Sequence, residues 1–330
     1  MTVTALVAGV GEVGTRAARQ LVDTAGVTRV LLTDADAERT RRVVAALGAK
    51  AEVTEYRPGD ALPSGIDVVA CALPTGEDHA VVTAAMEARV PIATSDDDHD
   101  AIDAVRALDR NARGAGVTMV VGCGLAPGLA DVLVAHAAST FERVDEIRVA
   151  RTGWAGPASV AAVRHARRAT ARAWHDGGWR EEHPHGETLV WFPDPIGGRD
   201  CHLVTGGSAL LVDAFPQVQR VSVLLGEPPR RTWLRRRFGD EGEWGATRVE
   251  VWGRRDGTHD CVVYGVVERT AIAAGGVLAV VAARLGGAIG PRLEKPGVHG
   301  PAAAVEPTPF LAELAQRGVR AAVFEGATVA

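Results

Sequence analysis

Three glycines and an acid at fixed spacing open the chain with a group able to hold a phosphorylated ligand. Gly9-Val10-Gly11-Glu12-Val13-Gly14 has the Gly-x-Gly-x-x-Gly spacing, and Asp34 follows, with Ala35 beside it. The three glycines serve different ends. Gly9 allows a tight turn, Gly11 allows close approach of a pyrophosphate, and Gly14 allows helix–strand packing. The backbone at Glu12 and Val13 then opens a helix whose free N–H groups and positive dipole end attract phosphate. A carboxylate at Asp34 stands about twenty residues further on, where it accepts hydrogen bonds from an adenosine ribose.

The second set of chemically loaded residues lies later. Arg164-His165-Ala166-Arg167-Arg168-Ala169-Thr170-Ala171-Arg172-Ala173-Trp174 has the composition of a helix with Arg164, Arg168 and Arg172 on one face. Such a face binds a carboxylate bidentately, with His165 as proton carrier, or is simply a solvated basic surface. Arg151 and Trp154 precede it as further candidates for substrate contact, Arg151 as an alternative to Arg168 for holding a carboxylate. Glu181-Glu182-His183-Pro184-His185 with Cys201-His202 fits no standard zinc spacing, so no metal is expected. Arg230 to Arg237 is followed at once by Asp240-Glu241-Gly242-Glu243, a self-neutralising surface segment and not a nucleic-acid patch.

These groups need elements to position them. Val3 to Ala8 is a short apolar run suited to a strand buried on both faces, and Thr28 to Thr33 is a second. Between Ala37 and Val121, helices at 37–47, 78–88 and 100–115 alternate with strands at 52–56, 67–72, 90–93 and 117–121. That alternation predicts a parallel doubly wound sheet with its ligand crevice beyond the strands' carboxyl ends. Asp34, Asp60, Leu73-Pro74-Thr75 and Cys123-Gly124 fall at or near such ends, so they join the glycine turn as expected dinucleotide contacts. Asp34 favours NAD, because a carboxylate repels a 2′-phosphate; Arg39, Arg41 and Arg42 could clamp that phosphate and keep NADP as the alternative.

Beyond Gly124 the pattern changes. Alternating segments at 188–192, 220–225, 247–252 and 260–267 predict a mixed or antiparallel sheet, and all seven tryptophans lie in this half. The expected organisation is α/β: residues 1–124, with about 300–330 returning, as a dinucleotide domain, and 125–300 as a substrate and dimerisation domain. Hydrophobic residues make up 47% and charged ones 23%, with a net charge of −5, which gives no general field favouring nucleic acid or an acidic membrane. Four dispersed cysteines without a CxxC pair, and no signal or membrane-spanning segment, predict a cytoplasmic protein. Thr270 to Val281 is too short to span a bilayer and reads as a buried helix.

Gly122-Cys123-Gly124-Leu125-Ala126-Pro127-Gly128-Leu129 resembles the glycine-rich Pro-Gly-Leu crossover of the saccharopine dehydrogenase-like proteins, which include saccharopine reductases and lysine 6-dehydrogenases. Ala72-Leu73-Pro74, the approach from Ala112 to Gly116, and the ending from Pro309 to Val319 fit the same group. The resemblance implies an N-terminal Rossmann domain, a central α/β substrate domain, a returning C-terminal segment and a frequent homodimer. It also implies NAD(P)-linked hydride transfer at a nitrogen-bearing carbon, usually of an amino acid carrying a carboxylate. Two departures stand out. Ala126 occupies a position where aspartate is common, and Arg151 to Pro157 replaces a Gly-Gly-Leu-Pro segment. The competing expectation is a non-catalytic dinucleotide-binding sensor or scaffold on the same fold.

Overall fold

A computed structural model describes residues 2–182, 188–226, 243–320 and 322–323. The first half runs β1 (Val3–Ala8), α1 (Glu12–Val22), β2 (Val27–Thr33), α2 (Ala37–Leu47), β3 (Ala51–Val53), β4 (Val68–Cys71), α3 (Asp78–Glu87), β5 (Ile92–Thr94), α4 (His99–Arg106), α5 (Asp109–Ala115) and β6 (Thr118–Val120). Its strands pair only in parallel, and β1 and β4 at the centre are buried along nearly their whole length. Helices on both faces explain the unbroken apolar runs. β3 stops at Val53, short of the expected Tyr56.

The second half contains α6 (Leu129–Ala138), β7 (Arg143–Thr152), α7 (Pro157–Ala166), β8 (Ala171–His175), β9 (Gly178–Glu182), β10 (Thr188–Phe192), β11 (Gly197–Val204), α8 (Ser208–Ala214), β12 (Arg220–Gly226), β13 (Trp244–Arg255) and β14 (Thr258–Arg269). The sheet is mixed: β12 and β7 are parallel, the other pairs antiparallel. One helix expected through Trp174 ends at Ala166 instead. From Ala171 the buried and part-exposed residues alternate, with Ala171 and Ala173 inside, and that period-two pattern joins β8 to β12 and β9. Arg164, Arg168 and Arg172 therefore share no helix face.

The chain then returns through α9 (Thr270–Leu285), β15 (Gly297–His299), α10 (Pro301–Ala304), α11 (Pro307–Gln316) and β16 (Ala322–Val323). The first sheet has the order β15-β6-β5-β4-β1-β2-β3, so its seventh strand comes from this return. α9 also belongs to it, packing along α1, and is buried at every residue but Ile272. A Cβ at Gly275 would lie 2.7 Å from the Val13 carbonyl oxygen, which is why glycine stands at that crossing. The apolar helix α9, from Thr270, thus already packs against the first sheet's layer. β16 pairs with β14 in the second sheet. One continuous apolar core, including Val7, Leu133, Val149, Val277 and Phe310, joins the two sheets. Among the described residues, no helix is long and apolar enough to cross a membrane.

Candidate functional site

The glycine turn has the geometry its spacing predicts. Gly9 has a φ of +91°, and a Cβ there would meet the Ala72 carbonyl oxygen at 2.4 Å. A Cβ at Gly14 would lie 1.8 Å from the Gly9 carbonyl oxygen, so α1 and the turn touch backbone to backbone. Around Gly11, by contrast, nothing lies within 4 Å of the Cβ position. Gly11 is the N-cap of α1 and no side chain caps that end. Open space over free helical N–H groups fits a diphosphate.

Asp34 directly follows β2, with a side chain only 8% exposed. Its Oδ2 accepts from the Val10 N–H at 2.6 Å, and its Oδ1 accepts from the Asp36 N–H at 2.9 Å and from Arg39 Nη2 at 2.6 Å. Burial alone would raise its pKa. The two N–H bonds and the guanidinium outweigh burial and hold it below the ordinary value. Ala35 is exposed beside it. A cavity of about 370 Å³ lined by Arg19, Arg39 and Arg42 adjoins Gly11 and Glu12 on this side.

On the other side of Gly11 the crevice continues as a cavity of about 110 Å³. The first domain lines it with Glu12, Val13, Leu73, Thr75, Ser95, Asp96, Asp97 and Gly124; the second contributes Arg151, and Ala155, Gly156, Ala158, Ser159 and Ala162 around the start of α7. A further cavity of about 290 Å³ shares Asp97, Arg151 and Ala162 with it and adds Asp98, His99, His165, Arg172 and Glu181. Arg151, almost wholly buried, reaches across from β7 and bonds Asp97 at 2.5 Å. Arg172 contacts His99 in the same interdomain space.

Asp96 follows β5 closely and is 8% exposed. Its Oδ2 accepts from the Gly76 N–H and its Oδ1 from the Asp98 N–H, both at 2.9 Å. Burial pushes its carboxyl up to about 7, helped by Asp78 and Asp97 and opposed by those two N–H bonds. Asp78, buried nearby, is raised as well, again by burial.

The remaining expected contacts fall unevenly. Leu73, Thr75 and Gly124 line the crevice, whereas Pro74 does not; its carbonyl accepts from the Glu77 N–H. Cys123 is fully buried, donates its thiol to the Val120 carbonyl and is pushed far up by burial, so it is a packed residue and no nucleophile. Asp60 lies exposed and accepts from Arg57 N–H within its own turn, away from these cavities. Trp154 is buried outside the cavity linings, and Arg168 is exposed outside them. The cause for Arg168 is the early end of α7, which leaves it in a turn. His165 lines the larger cavity at its rim, with a side chain 62% exposed and 3.7 Å from Asp98. Its charged neighbour is therefore a carboxylate of the first domain and not the expected arginine. His183 and His185, and the basic run from Arg230 to Arg237, lie outside the described residues.

Asp96 and Asp97 read in the sequence as no more than an acidic loop. Their one signal is position: acids just after a strand of a parallel sheet sit on the crevice edge.

A parallel sheet with a glycine turn, joined across a crevice to a mixed sheet, defines a two-domain α/β architecture of the Rossmann type. No family model matches the chain. Among solved structures, apo saccharopine dehydrogenase (L-Glu forming) from Saccharomyces cerevisiae is 15% identical over 97% of this chain and 99% of that one, with a TM-score of 0.70. GenD2 from gentamicin A biosynthesis, solved with NAD, is 12% identical over 98% and 97% with a TM-score of 0.50. An engineered D-amino acid dehydrogenase bound to NADP+ is 12% identical over 92% and 95% with a TM-score of 0.53. The chain has a saccharopine dehydrogenase-like fold.

Proposed function

We propose that this chain is an NAD(P)-dependent oxidoreductase that moves a hydride at the nitrogen-bearing carbon of a small amino- or imino-acid-like molecule. The observation that carries this reading is the cavity walled by the glycine turn on one side and by Arg151 and α7 on the other. A dinucleotide-binding protein without catalysis has no need of a second domain closing a charged cavity over the end of the dinucleotide cradle. The similar structures include a saccharopine dehydrogenase and a D-amino acid dehydrogenase, which supports the substrate class.

In this reading the N–H groups at the start of α1 hold the diphosphate, and Asp34 takes the adenosine ribose. Leu73, Thr75 and Gly124 flank the nicotinamide ribose. The nicotinamide, when bound, supplies the hydride acceptor or donor. Arg151 binds the substrate carboxylate, giving up its bond to Asp97 as it does so. Asp34 favours NAD, and the arginines beside it leave NADP as the alternative. The test is calorimetric titration with NAD+, NADH, NADP+ and NADPH, followed by absorbance assays of nicotinamide reduction over a panel of amino acids and amines. Binding with reduction supports the reading. Binding with no turnover of any amine would favour a dinucleotide sensor, and no binding would overturn both.

A further inference from the structure

Among the described residues, the ionisable ones lining the cavity between the glycine turn and α7 are Glu12, Asp96, Asp97 and Arg151. Three of them are engaged otherwise. Glu12 opens α1 on the path of the diphosphate, with its carboxylate against Gly156, where a Cβ would lie 1.9 Å from Oε2. Asp97 and Arg151 are bonded to each other at 2.5 Å, and an arginine keeps its proton throughout. Ala126 borders the same space and has nothing to titrate.

We propose that Asp96 is the group that exchanges a proton with the substrate nitrogen in this cavity, an inference that rests on the dehydrogenase reading above. Its position suits that role. It stands just beyond the carboxyl end of β5, with Leu73, Thr75 and Gly124 lining the same cavity. Two N–H groups fix its carboxyl plane, from Gly76 on one oxygen and Asp98 on the other. A carboxylate has about four lone-pair sites, so each oxygen keeps one for a ligand.

Its surroundings separate it from its neighbour. Asp97 is tied to a guanidinium, whereas Asp96 is desolvated and faces Asp97 and Asp98 from its own loop, Asp78 from α3 and Cys71 from β4. Arg151 from β7 and Glu12 from α1 complete the charged lining. Two adjacent carboxyls in such different surroundings can divide acid–base work from charge fixation. In the oxidising direction the Asp96 carboxylate takes a proton from the substrate ammonium. The freed nitrogen lone pair forms the C=N bond as the C–H bond breaks and its electron pair leaves as hydride to the oxidised nicotinamide. In the reducing direction the hydride returns to carbon, and the Asp96 carboxylic acid protonates the nitrogen.

A test without substrate uses the charge of the oxidised nicotinamide ring, which favours an ionised carboxyl beside it. Calorimetry of the full chain at pH 7, in two buffers of different ionisation enthalpy, counts protons released on binding NAD+ and, separately, NADH (or NADP+ and NADPH, whichever pair binds). The oxidised form is expected to release about 0.4 proton if the carboxyl falls by one pKa unit from about 7, and the reduced form none. Asp96→Asn should bind the oxidised form without that release. Asp96→Ser, small and polar but without a titrating group, replaces it if the amide variant does not fold. Equal release for both forms in the wild type, or release that persists in the variants, overturns the assignment while leaving the dehydrogenase reading intact. Failure of every dinucleotide to bind overturns that reading and this proposal together.

Discussion

Arg151 and Asp97 form an ion pair across the crevice, at 2.5 Å, with side chains 10% and 21% exposed. One residue comes from the central strand β7 of the second sheet, the other from the loop after β5 of the first. The pair therefore ties the two domains together across the cavity and balances charge within it. Removing one member of a desolvated pair leaves the other charge uncompensated, so the two single alanine costs should sum to more than the cost of the double variant. Arg151→Ala should lower stability by roughly 1–3 kcal/mol, below the roughly 3–5 kcal/mol of a fully buried pair because Asp97 keeps some solvent. With a carboxylate-bearing substrate it should also raise KM at least about tenfold, while Arg151→Lys recovers part of the loss. Urea melts of the two single variants and the double variant check the first claim; strictly additive costs would sink it.

Gly11→Val should leave folding nearly unchanged, because nothing lies within 4 Å of the position its Cβ would take. In the proposed dehydrogenase that open space takes the diphosphate, so dinucleotide affinity should fall by about 100-fold or more, roughly 2.7 kcal/mol. Gly9→Val gives the contrast: its Cβ would strike the Ala72 carbonyl, and the variant should unfold more readily. Thermal melts and calorimetry separate the two. Equal dinucleotide affinity in wild type and Gly11→Val would remove the site from this turn.

How far these features are legible follows from the range of the forces involved. The glycine turn, Asp34 and the parallel sheet depend on local spacing and on apolar runs, which the sequence displays directly. The return of α9 to the first sheet does not show, because an all-apolar helix carries no mark of which sheet it covers. Helical composition from Arg164 onward misleads for the same reason: the pairing of β8 with β12 and β9 is a long-range fact that overrides local propensity. At the site, the crevice rule places Leu73, Thr75 and Gly124, whereas Asp97 and Arg151 meet only through tertiary packing. They lie far apart in the chain, and no spacing encodes their meeting.

The Asp34–Arg39 pair makes cofactor choice testable. Arg39 is 43% exposed, so the pair should contribute less than about 1 kcal/mol to stability, and Arg39→Ala should fold normally. Its effect should fall on the ligand. Without Arg39, NADP binding should weaken roughly tenfold, about 1.4 kcal/mol, while NAD binding holds or tightens as Asp34 is released to the ribose. Asp34→Ser should act in the opposite sense, weakening NAD and improving NADP. Parallel titrations of both variants with NADH and NADPH decide the matter; shifts in the same direction for both cofactors would dissociate the pair from selectivity.

Asp131 sets a pH dependence of stability that is independent of the reaction. It lies in the first turn of α6, 2% exposed, with Oδ2 buried and without a hydrogen-bond partner. Burial raises its carboxyl to about 8, against the N–H bond from Gly128. The folded state thus keeps a proton that the unfolded chain loses near the ordinary aspartate value of about 4. Between those values the native state binds more protons than the unfolded one, so stability falls as pH rises. Asp131's contribution is fully present below about 4, erodes on the order of 1 kcal/mol per pH unit in between, and is flat above about 8. Asp131→Asn keeps the shape and is neutral at every pH, so its stability relative to the wild type should rise between about pH 4.5 and about pH 8.5. Urea midpoints at the two pH values provide the measurement. A wild type and variant that lose stability in parallel across this range would show that Asp131 is ionised in the folded protein.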